Sequence, residues 1–477
     1  MSPTFVRRCR APLALGVAIA LSLPWAAQAQ TADTGSTTAR EQQLEQRVDQ
    51  LEQELTQLKA MIQAQKQQQT ASQAAPAAAT QTVAAAPATN TGKPVFTTAP
   101  GLSVALHGFI SATAFDQNKS FVYGNGQNAE YPSPTSGNGS LSGVDVRNTR
   151  FWLDFSGAQL AGDWTGGGRI EMDFFGGYNG TGAYSQQQPI PRLRQAYMDL
   201  VNADTGTTLR IGQMWDLLFP LDNVTASLSH IAFPLGYGTG MIGWRYPGVI
   251  WMQDLNHGGN GGVQWRLDLG AFEGSWNGPD GAVNNTNYLT AGNAGFRPQV
   301  EARLHAQGSD WLAYAVAHYS SVDLRGVSGT AATPVQSSVK SVGYEVGGQW
   351  KPGPWVFRAN AYTGKGLGQV FGDLSQFGDI KDTGGYLQAG YNFTKSWNLS
   401  AIYTTSKPDK DDVIRWMDNG STGLLRSRQT GMNLTYAAGN YELGVEWLYG
   451  WLDSTTNGID TKTTSGNQVS LSALYHF

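Results

Sequence analysis

The chain has 477 residues, 40% hydrophobic and only 14% charged, with 32 Lys and Arg against 36 Asp and Glu. The acidic balance disfavours nucleic acid as a partner, and a single cysteine, Cys9, excludes a disulfide scaffold and thiolate chemistry in a chain that sheds its leader. Low charge together with 59 Gly, 15 Trp and 19 Tyr suits a membrane barrel with aromatic girdles better than a soluble protein of this length.

Arg7, Arg8 and Arg10 precede an apolar run from Leu13 to Leu23, followed by a small-x-small site at Ala27-Gln28-Ala29. Residues 1–29 therefore read as a signal peptide, and the mature chain is expected to begin at Gln30. No later stretch approaches the roughly 20 uninterrupted apolar residues of a transmembrane helix, so a barrel is the one way this chain can cross a membrane. Residues 30–64 carry Leu44, Val48, Leu51, Leu55, Leu58 and Ile62, spaced alternately by four and three. That is an a/d seam, with opposite charges at flanking positions (Arg47 with Glu52, Glu54 with Lys59), and it predicts a short periplasmic coiled coil or, in its absence, a lone amphipathic helix. Residues 65–100, rich in Ala, Gln and Pro without an apolar period, read as a flexible linker.

From residue 101 to 477 the pattern becomes strands of roughly 10 to 13 residues with period-two alternation. Val263, Trp265, Leu267 and Leu269 oppose Gln264, Arg266 and Asp268; Val300, Ala302 and Leu304 oppose Glu301, Arg303 and His305. Short turns, as at Asn202 to Thr205 and Gln307 to Asp310, alternate with long polar loops, as at Gly177 to Pro189, Asp216 to Gly240 and Trp276 to Phe296. The count gives an all-β fold, an antiparallel transmembrane barrel of about sixteen strands with both ends in the periplasm. The last strand, Gln468 to Phe477, places Val469, Leu471, Ala473, Tyr475 and Phe477 on one face. A free apolar edge of this kind is expected to pair back to the first strand. The ending resembles the C-terminal signature of bacterial outer-membrane proteins, which implies delivery by the barrel-assembly machinery.

A barrel of this size encloses water, so function lies in what projects inward. Alternation places Arg150, Trp152 and Asp154 inside, then Arg169, Glu171 and Asp173, then Arg192 and Arg194, with Arg210 joining them from the next strand. Guanidinium groups on successive strands can hold carboxylates and favour anions, whereas the plainer reading is a wall whose charges simply neutralise one another. The segment Asp216 to Gly240 carries Leu217-Leu218-Phe219-Pro220 and Ile231-Ala232-Phe233-Pro234, stretches that suit a loop folded into the bore, where Asp216, Asp222 and His230 would form part of a constriction.

Leu106-His107-Gly108-Phe109-Ile110, Arg169 to Gly176, Arg192 to Tyr197, Ile211-Gly212-Gln213-Met214-Trp215 and Trp244-Arg245-Tyr246 resemble, in order and spacing, the DcaP-type family of trimeric outer-membrane porins. The N-terminal heptads and linker fit that family's layout. The resemblance implies a homotrimer in the outer membrane of a Gram-negative bacterium, in contact with its lipid and lipopolysaccharide, that passes small anions such as dicarboxylates. No cofactor, metal or enzymatic activity is expected. The six histidines form no ligand cluster; Gly238 to Gly243 matches GxGxxG outside a strand-to-helix context; and Asp409, Asp411, Asp412 and Asp418 miss calcium-loop spacing and read as a solvated loop. The alternatives are a sugar-selective channel, for which Trp152 and Tyr362 are the inward aromatics, and a structural protein tethered to the cell wall.

Overall fold

The computed structural model describes residues 95–99, 101–119, 121–122, 130–134, 140–176, 189–257, 262–273, 298–323, 335–375, 378–417 and 421–477. The expected leader, the coiled-coil segment and nearly all of the linker lie outside them. The strands are β1 (Val95–Ala99), β2 (Leu102–Gln117), β3 (Phe121–Val122), β4 (Tyr131–Pro132), β5 (Leu141–Asp145), β6 (Arg150–Gln159) and β7 (Trp164–Asp173). They continue as β8 (Arg192–Asn202), β9 (Thr207–Trp215), β10 (Arg245–Asp254), β11 (Gln264–Phe272), β12 (Gln299–Gln307), β13 (Trp311–Asp323) and β14 (Ser338–Trp350). The last six are β15 (Trp355–Lys365), β16 (Lys381–Asn392), β17 (Trp397–Pro408), β18 (Leu424–Ala438), β19 (Tyr441–Ser454) and β20 (Lys462–His476).

From β6 to β20 each strand pairs antiparallel with the next, and β20 pairs back to β2, which in turn pairs with β5 and β6. With β5 and β6 counted as one interrupted strand and β1 as an addition, the 18-stranded sheet is a closed barrel of sixteen staves. Closure is what an apolar outer face demands, since an open edge would leave unpaired N–H and C=O groups. In β20, Val469 and Leu471 are 45% and 57% exposed on the outer face while Gln468 and Ser470 are 1% exposed on the inner one. At the short-turn rim, Trp350, Trp355, Tyr391, Trp397, Tyr436 and Tyr441 pack ring against ring, the arrangement of an aromatic girdle.

The seam is built from small inward side chains. Thr113 Oγ1 and Ser472 Oγ lie 2.8 Å apart across it, and Gln117 Nε2 donates to Gln468 Oε1 at 2.5 Å. The terminal residue completes it: Phe477 N donates to the Gly108 carbonyl at 3.0 Å and Gly108 N to the Phe477 carbonyl at 3.2 Å. The Phe477 ring lies over Gly108, where a Cβ would run into the ring and stand 2.7 Å from the Arg150 carbonyl oxygen.

Two expectations are corrected. The sheet begins at Val95, inside the stretch read as linker to residue 100, because β1 pairs with β2 (Val95 with Ala105, Thr97 with Ser103) beyond the point where β20 ends. Val95-Phe96-Thr97-Thr98 has strong β-propensity and finds an open edge there. The acidic stretch read as a solvated loop contains a helix, Lys410–Trp416, whose N-cap Asp409 accepts from the backbone N–H groups of Asp411 and Asp412, both at 3.1 Å. Acidic residues in a first turn complement the helix dipole. Val413 and Trp416 pack against Val322, Val339, Ile380 and Leu425. Asp418 lies outside the described residues.

Substitution Gly108→Val should block closure of the seam and reduce the yield of folded barrel at least severalfold, read as loss of the faster-migrating, heat-modifiable band in gel electrophoresis, whereas Gly108→Ser should be milder.

Candidate functional site

On the inner face of β6 to β9, register places each arginine opposite or beside a carboxylate. Asp154 faces Arg169, Asp173 faces Arg192, and Asp199 faces Arg210. All three pairs are bidentate: Arg169 donates to Asp154 at 2.7 and 3.0 Å, Arg192 to Asp173 at 2.9 and 2.6 Å, and Arg210 to Asp199 at 2.8 and 2.8 Å. Arg194 is different because β8 bulges there. Glu171 pairs with Gln195 and Met172 with Leu193, which leaves Arg194 as the extra residue. Its buried guanidinium bridges Glu171 and Asp173, the latter at 2.7 Å. The bulge also shifts the phase of the strand, so that Gln195, Tyr197 and Asp199 follow Arg194 onto the inner face: Gln195 donates to Glu171, and the Arg210 guanidinium lies 3.8 Å from the Tyr197 ring centroid.

Two cations of this sector are not clasped by a carboxylate of their own. Arg150 donates to the Ile231 carbonyl at 3.4 Å and stands 3.8 Å from Glu171, and its Nε lacks a partner. Arg245, the first residue of β10, stacks over Trp244 and Trp215 at 4.1 and 4.7 Å and forms no ion pair among the described residues. Arg150, Arg192, Arg194 and Arg245 therefore surround Glu171 and Asp173 with an excess of positive charge. Sequence reading missed Arg245 as a site residue; its position at the head of a strand directly after an aromatic-rich loop was the available signal.

The segment Asp216 to Gly240 runs along the inside of the wall. Asp216 closes its neck, accepting from Phe219 N at 2.9 Å and Trp244 N at 3.1 Å, and burial with Glu301 close by holds its carboxyl well above the usual range. Leu217 N then donates to Glu301 Oε2 at 2.6 Å. Asn223 Nδ2 donates to the Ala359 carbonyl of β15 at 2.7 Å, and Ala226 and the Gln388 amide of β16 exchange bonds of 2.8 and 2.9 Å. Further on, Ser229 and His230 bind Glu446 of β19 at 2.6 and 2.7 Å, and Asn148, between β5 and β6, holds the backbone at Ser229 and Ala232. Glu301, Gln388 and Glu446 are inward side chains of β12, β16 and β19, staves spread around the barrel, so the loop is inside it. Of the two side chains expected to meet solute, Asp222 keeps 24% of its side chain exposed, 3.8 Å from His305, while His230 keeps 2%.

Other loops join it. Gly238 N and Gly243 N donate to the carbonyls of Gly372 and Phe371, and Phe371 packs on Trp244 at 4.2 Å. From the loop between β2 and β5, Tyr131 is buried and the Glu130 carbonyl accepts from Gln429 at 3.1 Å. Burial pushes the Glu130 carboxyl up to about 8. Apolar residues in nominally polar loops were the only sequence signal for these contacts. The inward aromatics are already engaged: Trp152 stacks on His107 at 5.4 Å, and the buried Tyr362 hydroxyl donates to Ser406 at 3.2 Å.

No family model matches the chain, and no curated protein matches its sequence. Among solved structures, the outer membrane channel DcaP of Acinetobacter baumannii superposes with a TM-score of 0.60 at 19% identity, over 80% of this chain and 99% of that one. Salmonella typhi OmpF follows with a TM-score of 0.50 at 15% identity, over 79% of this chain and 98% of that one. What is shared is the fold.

Removing Arg194 would take the bridging charge from two buried carboxylates and leave Glu171 with only the Gln195 amide and the more distant Arg150, and breaking a buried pair in this way typically costs about 3–5 kcal/mol. Arg194→Ala should therefore lower the guanidinium unfolding midpoint far more than Arg210→Ala, whose pair is partly solvated; equal shifts would show that the Arg194 bridge contributes little.

Proposed function

We propose that the chain is an outer-membrane porin of a Gram-negative bacterium, assembled as a homotrimer, through which small hydrophilic solutes diffuse passively with a preference for small anions such as dicarboxylates. One observation supports the preference above the others: on the inner wall of a closed barrel, Arg150, Arg192, Arg194 and Arg245 outnumber the two carboxylates among them, Glu171 and Asp173. The pairs Arg169 with Asp154 and Arg210 with Asp199 are close to neutral and contribute mainly polarity. In a narrow bore with low-dielectric walls, an unbalanced charge acts on a passing ion more strongly than it would in bulk water. The leader at 1–29, the coiled coil at 30–64 and a linker that ends where β1 begins at Val95 complete this reading, with the N-terminal segment and the C-terminus in the periplasm.

The segment Asp216 to Gly240 sets the narrow section, and Asp222 is the side chain on it best placed to meet a solute. Its anchors on β15, β16 and β19 fix its position against the wall, so the width of the passage is a property of the ground state and needs no gate.

Selectivity tests the first reading. The double variant Arg150→Gln with Arg245→Gln removes the unbalanced charge and should move the reversal potential under a KCl gradient toward cations. The shift should be larger in about 0.1 M than in about 1 M salt, where screening lengths are roughly 10 and 3 Å. Wild-type selectivity in the double variant would sink the anion preference.

Conductance tests the second. Replacing residues 224–234 with a short Gly-Ser linker should raise single-channel conductance severalfold, because the narrowest section dominates the resistance in series; an unchanged value would put the narrow section elsewhere.

A further inference from the structure

The outer face of the barrel is apolar over most of its height, but at the long-loop ends of five adjacent staves it turns basic. Lys340 of β14, Lys365 of β15, Lys381 of β16, Lys407 of β17, and Arg426 and Arg428 of β18 fall on outward positions, by the same alternation that exposes Tyr344, Leu387, Tyr403 and Met432. Register strings them into a row. Lys365 lies directly opposite Lys381, with Lys340 one diagonal step from Lys365 on the other side. Lys407 faces Thr383, diagonal to Lys381, and the pairing of Ser406 with Ser427 brings Lys407 beside Arg426. By contrast, the described outward positions at the long-loop ends of β7 to β13 carry neither lysine nor arginine.

Like charges on facing strands are destabilising, so such a row calls for anions. The protein supplies some. Asp379 holds Lys365 at 2.8 Å and Asp453 holds Arg428 at 3.0 Å. The nearby Asp412 is turned to Arg415 and to the backbone N–H of Lys381. Lys340, Lys381, Lys407 and Arg426 form no ion pair among the described residues, and the Arg426 Nε, shielded from solvent, has no hydrogen-bond partner.

Directly below Lys407 and Arg426 the outer surface is recessed. Gly385 sits between Ala361 and Thr405 on this face, beside a groove of about 490 Å³ whose wall includes Leu387 and Tyr403. An apolar trough running down from unmatched cations is the shape of an acylated anion. We propose that this face binds an acylated, phosphorylated lipid, one acyl chain in the groove beside Leu387 and Tyr403, a phosphate on Lys407 and Arg426, and adjoining phosphates on Lys381 and Lys340. The inference rests on the barrel lying in a bilayer and is independent of what passes through the bore.

The test is native mass spectrometry of the full chain, stripped of lipid in an uncharged detergent and offered diphosphoryl lipid A, its dephosphorylated counterpart, or inorganic pyrophosphate. The diphosphorylated lipid should be retained, the other two should not, and retention should weaken with salt. Loss of two headgroup cations, Lys407→Gln with Arg426→Gln, should weaken retention by about tenfold or more. Leu387→Trp, which fills the groove, should weaken it without removing charge. Folding is read from heat-modifiable migration, and the single variants serve if the double one does not fold. Conductance should stay at the parent value, which separates this result from the channel reading. Equal retention by the variants, equal retention of the dephosphorylated lipid, or conversion of an oligomer to monomers by Leu387→Trp would each overturn the proposal, the last by assigning the face to a second copy of the chain.

Discussion

Every other feature depends on the need of the backbone to satisfy its own hydrogen bonds where the surroundings cannot. A sheet with an apolar outer face has no use for an edge, and the pairing of β20 with β2 removes both edges at once. That demand explains why the inward seam residues are Thr113, Ser472, Gln117 and Gln468, small or amide side chains that bond across the join, and why Gly108 leaves room for the Phe477 ring. It also explains β1, which takes the stretch of β2 that β20 is too short to cover.

Closure in turn creates an interior, and the interior has to be filled or wetted. The chain does both. Toward the long-loop end, Leu217, Leu218, Ile242 and Phe272 join inward residues of β10, β13 and β15 in a core like that of a soluble protein. Beside it, Trp215, Phe219, Phe233, Tyr237 and Trp244 form an aromatic block against which Arg192 and Arg245 lie flat. Charge and apolar surface are thus interleaved. Arg192 is held by rings on one side and a carboxylate on the other, which fixes its position better than either contact alone, whereas Arg245 rests on rings without an ion pair among the described residues.

Much of the architecture was legible in the sequence because a wall with an apolar outer face and a polar inner one imposes a strict period of two. Val469 to Phe477, the alternation at Val263 to Leu269 and the turn at Asn202 to Thr205 all reappear as strand faces and strand ends. The inward placement of Arg150, Arg169, Arg192 and Arg210 followed from the same rule. What the rule could not give was any departure from itself. The bulge at Arg194 adds one residue and moves Gln195, Tyr197 and Asp199 to the other phase, and nothing in Arg-Leu-Arg-Gln marks it. The pairing of arginines with particular carboxylates depends on inter-strand register, which lies between segments and not within one. The helix at Lys410–Trp416 was hidden by its own cap: Asp409, Asp411 and Asp412 look like a solvated loop unless the buried Val413 and Trp416 behind them are weighed as a helical face.

The join between Gly108 and Phe477 combines two backbone hydrogen bonds with an aromatic ring laid over a residue that has no side chain. A latch of that kind fits one alignment. Slide β20 along β2 by two residues, the shift that keeps the inner face inside, and the ring meets Leu106 or Ile110 where the gap should be. One glycine thereby serves as the alignment mark of the whole seam.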